Sequence, residues 1–307
     1  MSRFLITGGA GFIGSHLCEL LVAAGHEVVV LDNLSTGKRE NLHSVDGQIR
    51  FLLGDVRDAT VLIPALEGVD KVIHLAAIPS VIQSIEEPLF TSDNNILGTI
   101  SLFEAVAKHS SAKRIVQASS SAVYGDVQSV PCLETAERNP LSPYAIDKVV
   151  QELYGDFYGN QYGLQVVSLR FFNVYGTRQD PRSVYAGVIP IFMDKIRHGQ
   201  RPIIYGDGNA LRDYINVKDI AMGLYQAAMA DTEGHLAVNL GTGIGTTVKE
   251  LTGLILEMYE SALPVDYAPK RVGEVEKSLA GIDLAEKHFG FRARITLKDG
   301  LKELKEN

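Results

Sequence analysis

Two short stretches carry residue types that could move a proton. Three consecutive serines, Ser119, Ser120 and Ser121, end the apolar run RIVQASS, and Tyr144 precedes Lys148 by four positions. Side chains at i and i+4 share one face of a helix, about one turn apart. An ammonium near a phenol favours the phenolate, so we expect Lys148 to lower the pKa of Tyr144 toward use as a general base.

The position of these stretches supports that chemistry, because Tyr-x-x-x-Lys alone arises often by chance. The serines end the fifth strand candidate, at the sheet edge where ligands bind in open α/β sheets, and Tyr144 opens the next helix candidate. Serine hydroxyls there can bind the same substrate oxygen as the tyrosine. The alternative is that Ser119, Ser120 and Ser121 only satisfy backbone groups at the strand end.

A glycine-rich turn predicts a dinucleotide site. The stretch TGGAGFIGSH places Gly8, Gly11 and Gly14 directly after a strand candidate and before a helix candidate. Glycine is required because the turn is tight, the pyrophosphate approaches the backbone and the helix packs close to the strand. The phosphate then lies at the helix N-terminus, where free N–H groups favour negative charge.

A carboxylate at the end of the second strand candidate favours NAD over NADP. Asp32 ends EVVVLD at about the expected distance from the glycines, where it would bind the adenosine ribose hydroxyls and repel a 2′-phosphate. Lys38 and Arg39 leave NADP open, although a solvated loop pair is the simpler interpretation.

The first half of the chain alternates short β-branched runs with stretches of helical period, which is typical of βαβ units. The strand candidates are RFLIT, EVVVLD, IRFLLGD, KVIHLAA, RIVQASS and LQVVSLRFF. The helix candidates lie near residues 13–24, 58–67, 88–109 and 144–161. Because the strands are apolar without strict alternation, we predict an α/β fold with a Rossmann-type doubly wound parallel sheet. His74, inside KVIHLAA, is most simply a core histidine.

After about residue 172 the rhythm loosens, with proline and glycine between shorter elements. We therefore predict a Rossmann domain over 1–172, to which segments near 210–240 return. A smaller, partly interleaved C-terminal α/β lobe would occupy 173–307. A cleft between two fused lobes is a usual ligand position.

The composition favours a small-molecule partner. The chain has 307 residues and a net charge of -8 with scattered Lys and Arg, so no basic stripe is available for a nucleic acid or a membrane surface. No apolar run reaches membrane-spanning length and no signal peptide pattern is present, which predicts a cytoplasmic location. Cys18 and Cys132 lie far apart, and no residues have metal-ligand spacing, so neither a disulfide nor a metal is expected.

The motifs taken together resemble the extended short-chain dehydrogenase/reductase family. They are TGGAGFIGSH, Asp32-Asn33, HLAA, NNILGT, SSSAVYG, SPYAIDK, RFFNVYG and RDYINVKD. They stand in the family's order and cover essentially the whole chain. Within the family, the chain is similar to 4-epimerases of UDP-glucose and UDP-N-acetylglucosamine.

The resemblance implies a role for each matching residue. Tyr144 would be the base, Lys148 would bind the nicotinamide ribose, and Ser120 would hold the sugar oxygen, with Ser121 left open. Asn95 would support the cofactor and sugar side of the site. The other residues implied to bind NAD are Gly8, Gly11, Phe12, Ile13, Gly14, Asp32, Asn33, Ser35, Gly37, Asp55, Val56, Leu75, Ala76, Ala77 and Ser119. Those implied to bind a UDP-sugar are Ser80, Asn173, Val188, Tyr205, Arg212, Arg271, Glu274 and Ser278.

The implied activity is inversion at carbon 4 of a UDP-hexose through a transient 4-keto sugar, with tightly bound NAD. UDP-glucose and UDP-galactose would be interconverted. Ser278 stands at a gate position that is small in permissive members of the family, so UDP-N-acetylglucosamine and UDP-N-acetylgalactosamine are expected as well. The helices near 88–109 and 144–161 resemble a pair that forms a dimer interface in relatives, so we expect a homodimer.

Three alternatives stay open. A UDP-glucuronate 4-epimerase or decarboxylase differs mainly in sugar-pocket residues that the motifs do not place. A nucleotide-sugar 4,6-dehydratase has Thr-Asp-Glu in relatives where this chain has Ser120, Ser121 and Ala122, so its acid would be missing. A non-catalytic NAD-sensing regulator would have no need of Tyr144.

Overall fold

The computed structural model describes residues 1–127, 129–179, 187–270 and 275–306. Its strands are β1 (Arg3–Thr7), β2 (Glu27–Asp32), β3 (Ile49–Leu53), β4 (Lys71–His74), β5 (Arg114–Ser120), β6 (Gln165–Phe171), β7 (Asn173–Tyr175), β8 (Ile203–Tyr205), β9 (Leu211–Asn216), β10 (His235–Leu240), β11 (Gly245–Thr247), β12 (Asp266–Ala268) and β13 (Lys277–Ser278). Its α-helices are α1 (Phe12–Ala23), α2 (Ala59–Ala65), α3 (Val81–Glu86), α4 (Pro88–Ser92), α5 (Gly98–His109), α6 (Pro143–Tyr162), α7 (Val188–Arg197), α8 (Val217–Met229), α9 (Val248–Met258), α10 (Asp283–Phe289) and α11 (Leu297–Glu306).

The main sheet confirms the predicted doubly wound architecture. Seven strands lie in the order β3-β2-β1-β4-β5-β6-β10, and each neighbouring pair is parallel. The strand order reverses between β1 and β4, and ligands bind at the carboxyl ends of strands beside such a switch point. The last strand, β10, joins this sheet although it follows residue 172 in the chain.

Both faces of the sheet are covered, as the apolar strands predict. Alternate residues of β1 point to opposite faces: Phe4 and Ile6 pack in one core with α1 and α8, while Leu5 packs in the other with α5. Cys18 is fully buried in the first core. The strands therefore form a fixed floor on which the loops at their carboxyl ends are placed.

The helix that carries Tyr144 has well-defined ends. Ser142 caps α6 by accepting a hydrogen bond from the Ala145 N–H at 3.2 Å, and Pro143 occupies the first turn. The helix ends at Gly163, which adopts a left-handed conformation with φ 63°. Tyr144 is thereby fixed in the first turn of α6, beside the end of β5.

The predicted helix near 88–109 is present but is not a regular α-helix. Residues Asp93–Leu97 form a π-helical turn between α4 and α5. Such turns are rare and occur frequently at functional sites. This one places Asn95 in the interior.

A smaller assembly follows the main sheet. β9 pairs with β11, β13 and β7, and β8 pairs with β12. Its core includes Phe192, Ile204 and Leu251. Only Phe172 separates β6 from β7, so the two sheets are joined by a very short connection. Within the parts of the chain that the structure describes, no helix is long and apolar enough to cross a membrane.

Candidate active site

The glycine turn between β1 and α1 forms one wall of a deep cleft. Gly8 has φ +72°, and a Cβ there would lie 2.7 Å from the Ala76 backbone nitrogen. A Cβ on Gly14 would lie only 2.3 Å from the Gly8 carbonyl oxygen. No side chain caps the N-terminus of α1. The turn therefore offers close backbone approach and uncapped N–H groups, which is what a dinucleotide phosphate requires.

Asp32 lies at the other end of this wall. One of its carboxylate oxygens accepts from the Ala10 N–H at 2.9 Å and the other from the Leu34 N–H at 2.8 Å. Burial nevertheless raises the pKa of Asp32 above its ordinary value, with the two backbone hydrogen bonds acting in the opposite direction. Each oxygen keeps capacity to accept a further hydrogen bond, as binding of ribose hydroxyls would need.

The cationic loop residue Arg39 contacts groups of the protein outside the cleft. It pairs with Asp46 at 2.6 Å and stacks over the Phe51 ring at 4.5 Å from the centroid. Together with the carboxylate of Asp32, this arrangement favours NAD over NADP.

Most of the residues predicted to bind a dinucleotide line this cleft. They are Gly8, Gly11, Phe12, Ile13, Gly14, Asp32, Asn33, Ser35, Val56, Leu75, Ala76, Ala77, Ser119, Tyr144 and Lys148. Three predicted residues do not line it: Gly37, Asp55 and Asn95. The lining residues outside the predicted set are Leu31, Thr36, Gly54, Ile78, Pro79, Asn94, Ala118 and Phe171.

The three exceptions lie just behind the cleft. A Cβ on Gly37 would lie 3.1 Å from Asp32 Oδ2. Asp55 accepts from Asn33 Nδ2 at 2.9 Å and binds Arg57 at 2.7 Å, so it orients a lining residue. Asn95 accepts from the Ile78 N–H at 2.8 Å and donates to Asp147 at 3.1 Å, which ties the loop after β4 to α6.

The proposed catalytic side chains meet at the end of the cleft. The Tyr144 hydroxyl hydrogen-bonds the Ser120 side chain. Lys148 Nζ donates to the Ala118 carbonyl oxygen at 2.8 Å and lies 5.7 Å from the centroid of the Tyr144 ring. Ser120 Oγ also accepts from the Ala122 N–H at 3.2 Å, so the expected backbone contact is present beside the contact with tyrosine.

Without a bound nicotinamide, the pKa of Tyr144 is raised, so the expected lowering by Lys148 and the nicotinamide together stays a prediction. Burial raises the pKa of Tyr144, the Ser120 hydrogen bond lowers it, and the Asp147 carboxylate raises it again, for a net rise. Burial also lowers the pKa of Lys148 to about 8, although Asp147 and Glu152 act in the opposite direction. Desolvation is therefore the largest influence on the pKa of both groups.

A buried ion pair supports the end of β5 from below. Arg170 binds both carboxylate oxygens of Glu152, at 2.8 and 2.7 Å. Ser119 donates to the same carboxylate at 2.7 Å, which accounts for the orientation of that serine. Burial by itself raises the pKa of Glu152, but the contacts with Arg170 and Ser119 outweigh it and leave the pKa below its ordinary value.

A second cleft lies in the smaller assembly, adjoining the end of β6. Four of the residues predicted to bind a nucleotide sugar line it: Asn173, Val188, Tyr205 and Arg212. Gln179, Lys195 and Val248 are among the lining residues that the sequence reasoning missed. Asn173 donates to the Asp213 carbonyl oxygen at 3.0 Å, which fixes the start of β7 against β9.

The remaining predicted substrate contacts are placed elsewhere. Ser278 pairs in register with Arg212 across β13 and β9, so it lies at the border of the second cleft. Ser80 is buried and caps α3 by accepting from the Gln83 N–H at 3.0 Å. Ser121 begins the short 3₁₀ turn after β5. Arg271 and Glu274 lie outside the described residues.

Comparisons with known proteins agree over nearly the whole chain. The family model described as GDP-mannose 4,6 dehydratase matches residues 5–304. A protein of Methanocaldococcus jannaschii named putative UDP-glucose 4-epimerase is 40% identical over 301 residues, covering 98% of this chain and 96% of that protein. This chain belongs to the extended short-chain dehydrogenase/reductase family.

Solved structures of the same family superpose closely. A UDP-N-acetylglucosamine 4-epimerase from Methanobrevibacter ruminantium, in complex with UDP-N-acetylmuramic acid, matches with a TM-score of 0.93 and 38% identity over 99% of this chain and 98% of that one. A UDP-glucose 4-epimerase from Thermus thermophilus, in complex with NAD, matches with a TM-score of 0.88 and 39% identity over 98% of this chain and 96% of that one.

Two buried histidines have structural contacts. Burial lowers the pKa of His74 to about 3, and hydrogen bonds with Thr7 and Thr99 hold its ring. His16 is buried and contacts the Thr177 carbonyl oxygen at 3.1 Å. The prediction that His74 is a core residue is confirmed. Within the described ranges, no group of three His, Cys, Asp or Glu side chains could hold a metal ion.

Proposed function

We propose that this NAD-dependent nucleotide-sugar 4-epimerase interconverts UDP-glucose with UDP-galactose and UDP-N-acetylglucosamine with UDP-N-acetylgalactosamine. The observation that carries the proposal is the meeting of Tyr144, Ser120 and Lys148 at the end of the first cleft, beside a second cleft lined by Arg212. A proton-transfer group thus lies where the two ligand-binding parts of the chain adjoin.

The first cleft fits a dinucleotide, because the backbone packs too closely at Gly8 and Gly14 for any side chain and no side chain caps the N-terminus of α1. Those glycines and the N-terminus of α1 would hold the pyrophosphate, and Asp32 would hold the adenosine ribose. When bound, NAD supplies a hydride acceptor whose reduced form returns the hydride. Epimerisation needs no net redox change, so the cofactor must stay in the cleft throughout turnover.

The protein's own groups would handle the proton. Tyr144 would take the proton of the carbon 4 hydroxyl, and Ser120 would hydrogen-bond the same oxygen. Because burial raises the pKa of Tyr144, the positive charges of Lys148 and of the oxidised nicotinamide are what would favour the phenolate. A proton returned from Tyr144 to the 4-keto oxygen would complete the inversion.

Inversion further requires that the sugar present its opposite face while the nucleotide stays bound. Asn173, Tyr205 and Arg212 line the second cleft, where a guanidinium can bind phosphate oxygens in a bidentate manner. We propose that the diphosphate is anchored there and that the sugar turns in the space toward Tyr144. Arg271 and Glu274 are proposed as further contacts from the family motif.

The proposal that N-acetylated sugars are accepted depends on Ser278. Ser278 pairs in register with Arg212, so a small side chain stands at the border of the second cleft. The similarity to a UDP-N-acetylglucosamine 4-epimerase supports this reading. A UDP-glucuronate 4-epimerase or decarboxylase remains the alternative.

The name of the matching family model favours a second candidate, a 4,6-dehydratase. That reaction needs an acid to move the carbon 5 proton. Ser121 and Ala122 occupy the positions where dehydratase relatives have their Asp-Glu pair, and neither side chain can serve as that acid. This supports epimerisation over dehydration.

We also propose that the enzyme is a homodimer formed through 88–109 and 144–161. Leu89, Leu97, Leu153 and Phe157 are large apolar residues on these segments, and their exposures are 87%, 49%, 50% and 49%. Leu153→Glu should yield a monomer in light scattering, whereas Ile244→Glu, at a site 69% exposed elsewhere on the surface, should not.

Two further statements stay proposals. We propose two parts, a dinucleotide-binding domain over 1–172 and a nucleotide-sugar lobe over 173–307, with residues near 210–240 returning to the first. The separation of the two clefts and the place of β10 in the main sheet support this division. The cytoplasmic location rests on the sequence pattern alone.

The deciding experiment is NMR of the products after incubation with UDP-N-acetylglucosamine and no added NAD. Appearance of UDP-N-acetylgalactosamine would support carbon 4 inversion, retained cofactor and a permissive pocket together. Tyr144→Phe should abolish it. Conversion of UDP-galactose alone would contradict the argument from Ser278, and a 4-keto-6-deoxy product would favour the dehydratase.

A further inference from the structure

A row of polar side chains crosses the otherwise apolar main sheet. Thr7, His74, Gln117 and Ser168 are register partners on the adjacent strands β1, β4, β5 and β6. All four are buried, with exposures of 0%, 4%, 1% and 0%. Buried polar groups are costly unless they are paired, so this row needs a reason.

The row is hydrogen-bonded in two parts, Thr7 with His74 and Gln117 with Ser168. Gln117 Nε2 donates to Ser168 Oγ at 2.7 Å, and Ser168 Oγ contacts His235 Nε2 at 2.8 Å. His235 Nδ1 in turn contacts Asp156 at 2.7 Å, at the surface end of the row. At the other end, the row reaches the cofactor cleft through Thr7.

Counting hydroxyl protons favours one tautomer of His74. Thr99 donates its single hydroxyl proton to the Asn95 carbonyl oxygen at 2.7 Å, so at 3.1 Å it can only accept from His74 Nε2–H. His74 Nδ1 is then the acceptor, and Thr7 donates to it at 2.7 Å. In the opposite arrangement, the Thr7 proton would have no acceptor among these contacts.

The same hydroxyl of Thr7 acts on the cleft. It accepts from the Ala76 N–H at 3.3 Å, and Ala76 lines the cofactor cleft. Asn95, at the other end, belongs to the π-helical turn that contacts Ile78, two residues beyond Ala76. The loop Ala76–Ile78 is thus held from both sides by one chain of directed hydrogen bonds through His74.

We propose that His74 is a positioning residue, fixed as its Nε2–H tautomer, which orients Thr7 so that the Ala76 backbone is held at the floor of the cofactor cleft. The neutral ring also faces Lys148 without adding a second positive charge beside it. The inference rests on the proposed binding of NAD, but not on which sugar is the substrate.

Two substitutions of His74 test the contacts of its two ring nitrogens separately. Asn places its Oδ1 two bonds from Cβ, as Nδ1 is in histidine, and Gln places its Nε2 three bonds from Cβ, as histidine does. His74→Asn therefore keeps an acceptor for Thr7 and loses the contact with Thr99, while His74→Gln does the reverse. Each variant loses one buried hydrogen bond, so a merely structural role predicts similar effects.

The measurement is the rate at which bound NAD leaves the purified protein on dialysis. We expect His74→Gln and Thr7→Val to release NAD about tenfold faster, and His74→Asn to stay within about threefold of wild type, since one hydrogen bond is worth about a factor of ten. His235→Gln, at the far end of the same row, is the matched control and should release NAD at the wild-type rate.

A spectroscopic readout is independent of these variants. In ¹⁵N-labelled protein, His74 should show a protonated Nε2 and an unprotonated Nδ1, with no change between pH 6 and pH 8 because its pKa lies at about 3. Equal NAD release from His74→Asn and His74→Gln, or a protonated Nδ1, would overturn the proposal. If the variants differ in NAD release as expected but the wild-type protein has no epimerase activity, only the proposed function would be contradicted.

Discussion

Replacing Glu152 by Gln should cost far more stability than replacing an exposed glutamate in an ion pair. The side chains of Arg170 and Glu152 are 4% and 1% exposed, and the guanidinium makes two hydrogen bonds to the carboxylate. Removing one charge of a buried pair leaves the other uncompensated, which costs about 3 to 5 kcal/mol. The loss should be at the upper end, because Ser119 also gives up its charged acceptor.

The test is urea unfolding of the wild type and of Glu152→Gln. The slope of the unfolding free energy against urea concentration should be the same for the two proteins. The matched control is Glu104→Gln, because Glu104 pairs with Lys108 one turn away and their side chains are 51% and 52% exposed. That change should leave the free energy of unfolding nearly unchanged, because both side chains are exposed to water. A loss below about 1 kcal/mol for Glu152→Gln would refute the reasoning.

The effect should also depend on pH in a defined direction. The pKa of Glu152 in the folded protein lies below its ordinary value, so the folded state binds fewer protons than the unfolded state in acid. The stabilisation is therefore complete above the ordinary glutamate pKa of about 4.3 and is lost as the pH falls through the folded value. The difference between wild type and Glu152→Gln should shrink in that acid range.

Two other changes give sharp expectations. Gly14→Ala would place a Cβ 2.3 Å from the Gly8 carbonyl oxygen. It should therefore lower the free energy of unfolding in urea by about 1 to 3 kcal/mol and abolish NAD retention. The control is Gly253→Ala in α9, where a Cβ would have no atom within 4 Å, and it should raise the free energy of unfolding by about 0.5 to 1 kcal/mol. If Lys148 must be cationic for catalysis, kcat/KM should fall as the pH rises through its pKa of about 8. The Asp147 carboxylate raises that pKa, so Asp147→Asn should move the fall in kcat/KM to lower pH. An unshifted profile would contradict the role of Asp147.

The parts of the site that the sequence predicts are those that local rules dictate. Gly8 and Gly14 follow from the steric needs of a strand-to-helix turn, and Asp32 follows from its place at the end of a strand. The parallel sheet follows from the apolar strands, since only a sheet covered on both faces tolerates that pattern.

The residues that were missed depend on tertiary structure. Asn94 lines the cleft and Asn95 does not, because the π-helical turn changes the number of residues per turn and rotates both side chains. Phe171 and Gln179 enter the two clefts only because β6 and the segment after β7 lie beside other strands. The rise in the Tyr144 pKa follows from burial, which no spacing of residue types reveals.

The contacts among Asp156, His235 and Ser168 have a consequence for how enzymes are recognised. The distances of 2.7 and 2.8 Å are those of a nucleophile, its base and an orienting acid in hydrolases. Ser168 has no exposed surface and lies on β6, between β5 and β10, so no acyl group can reach its oxygen. Access to solvent, rather than distance, separates an inert hydroxyl from a reactive one.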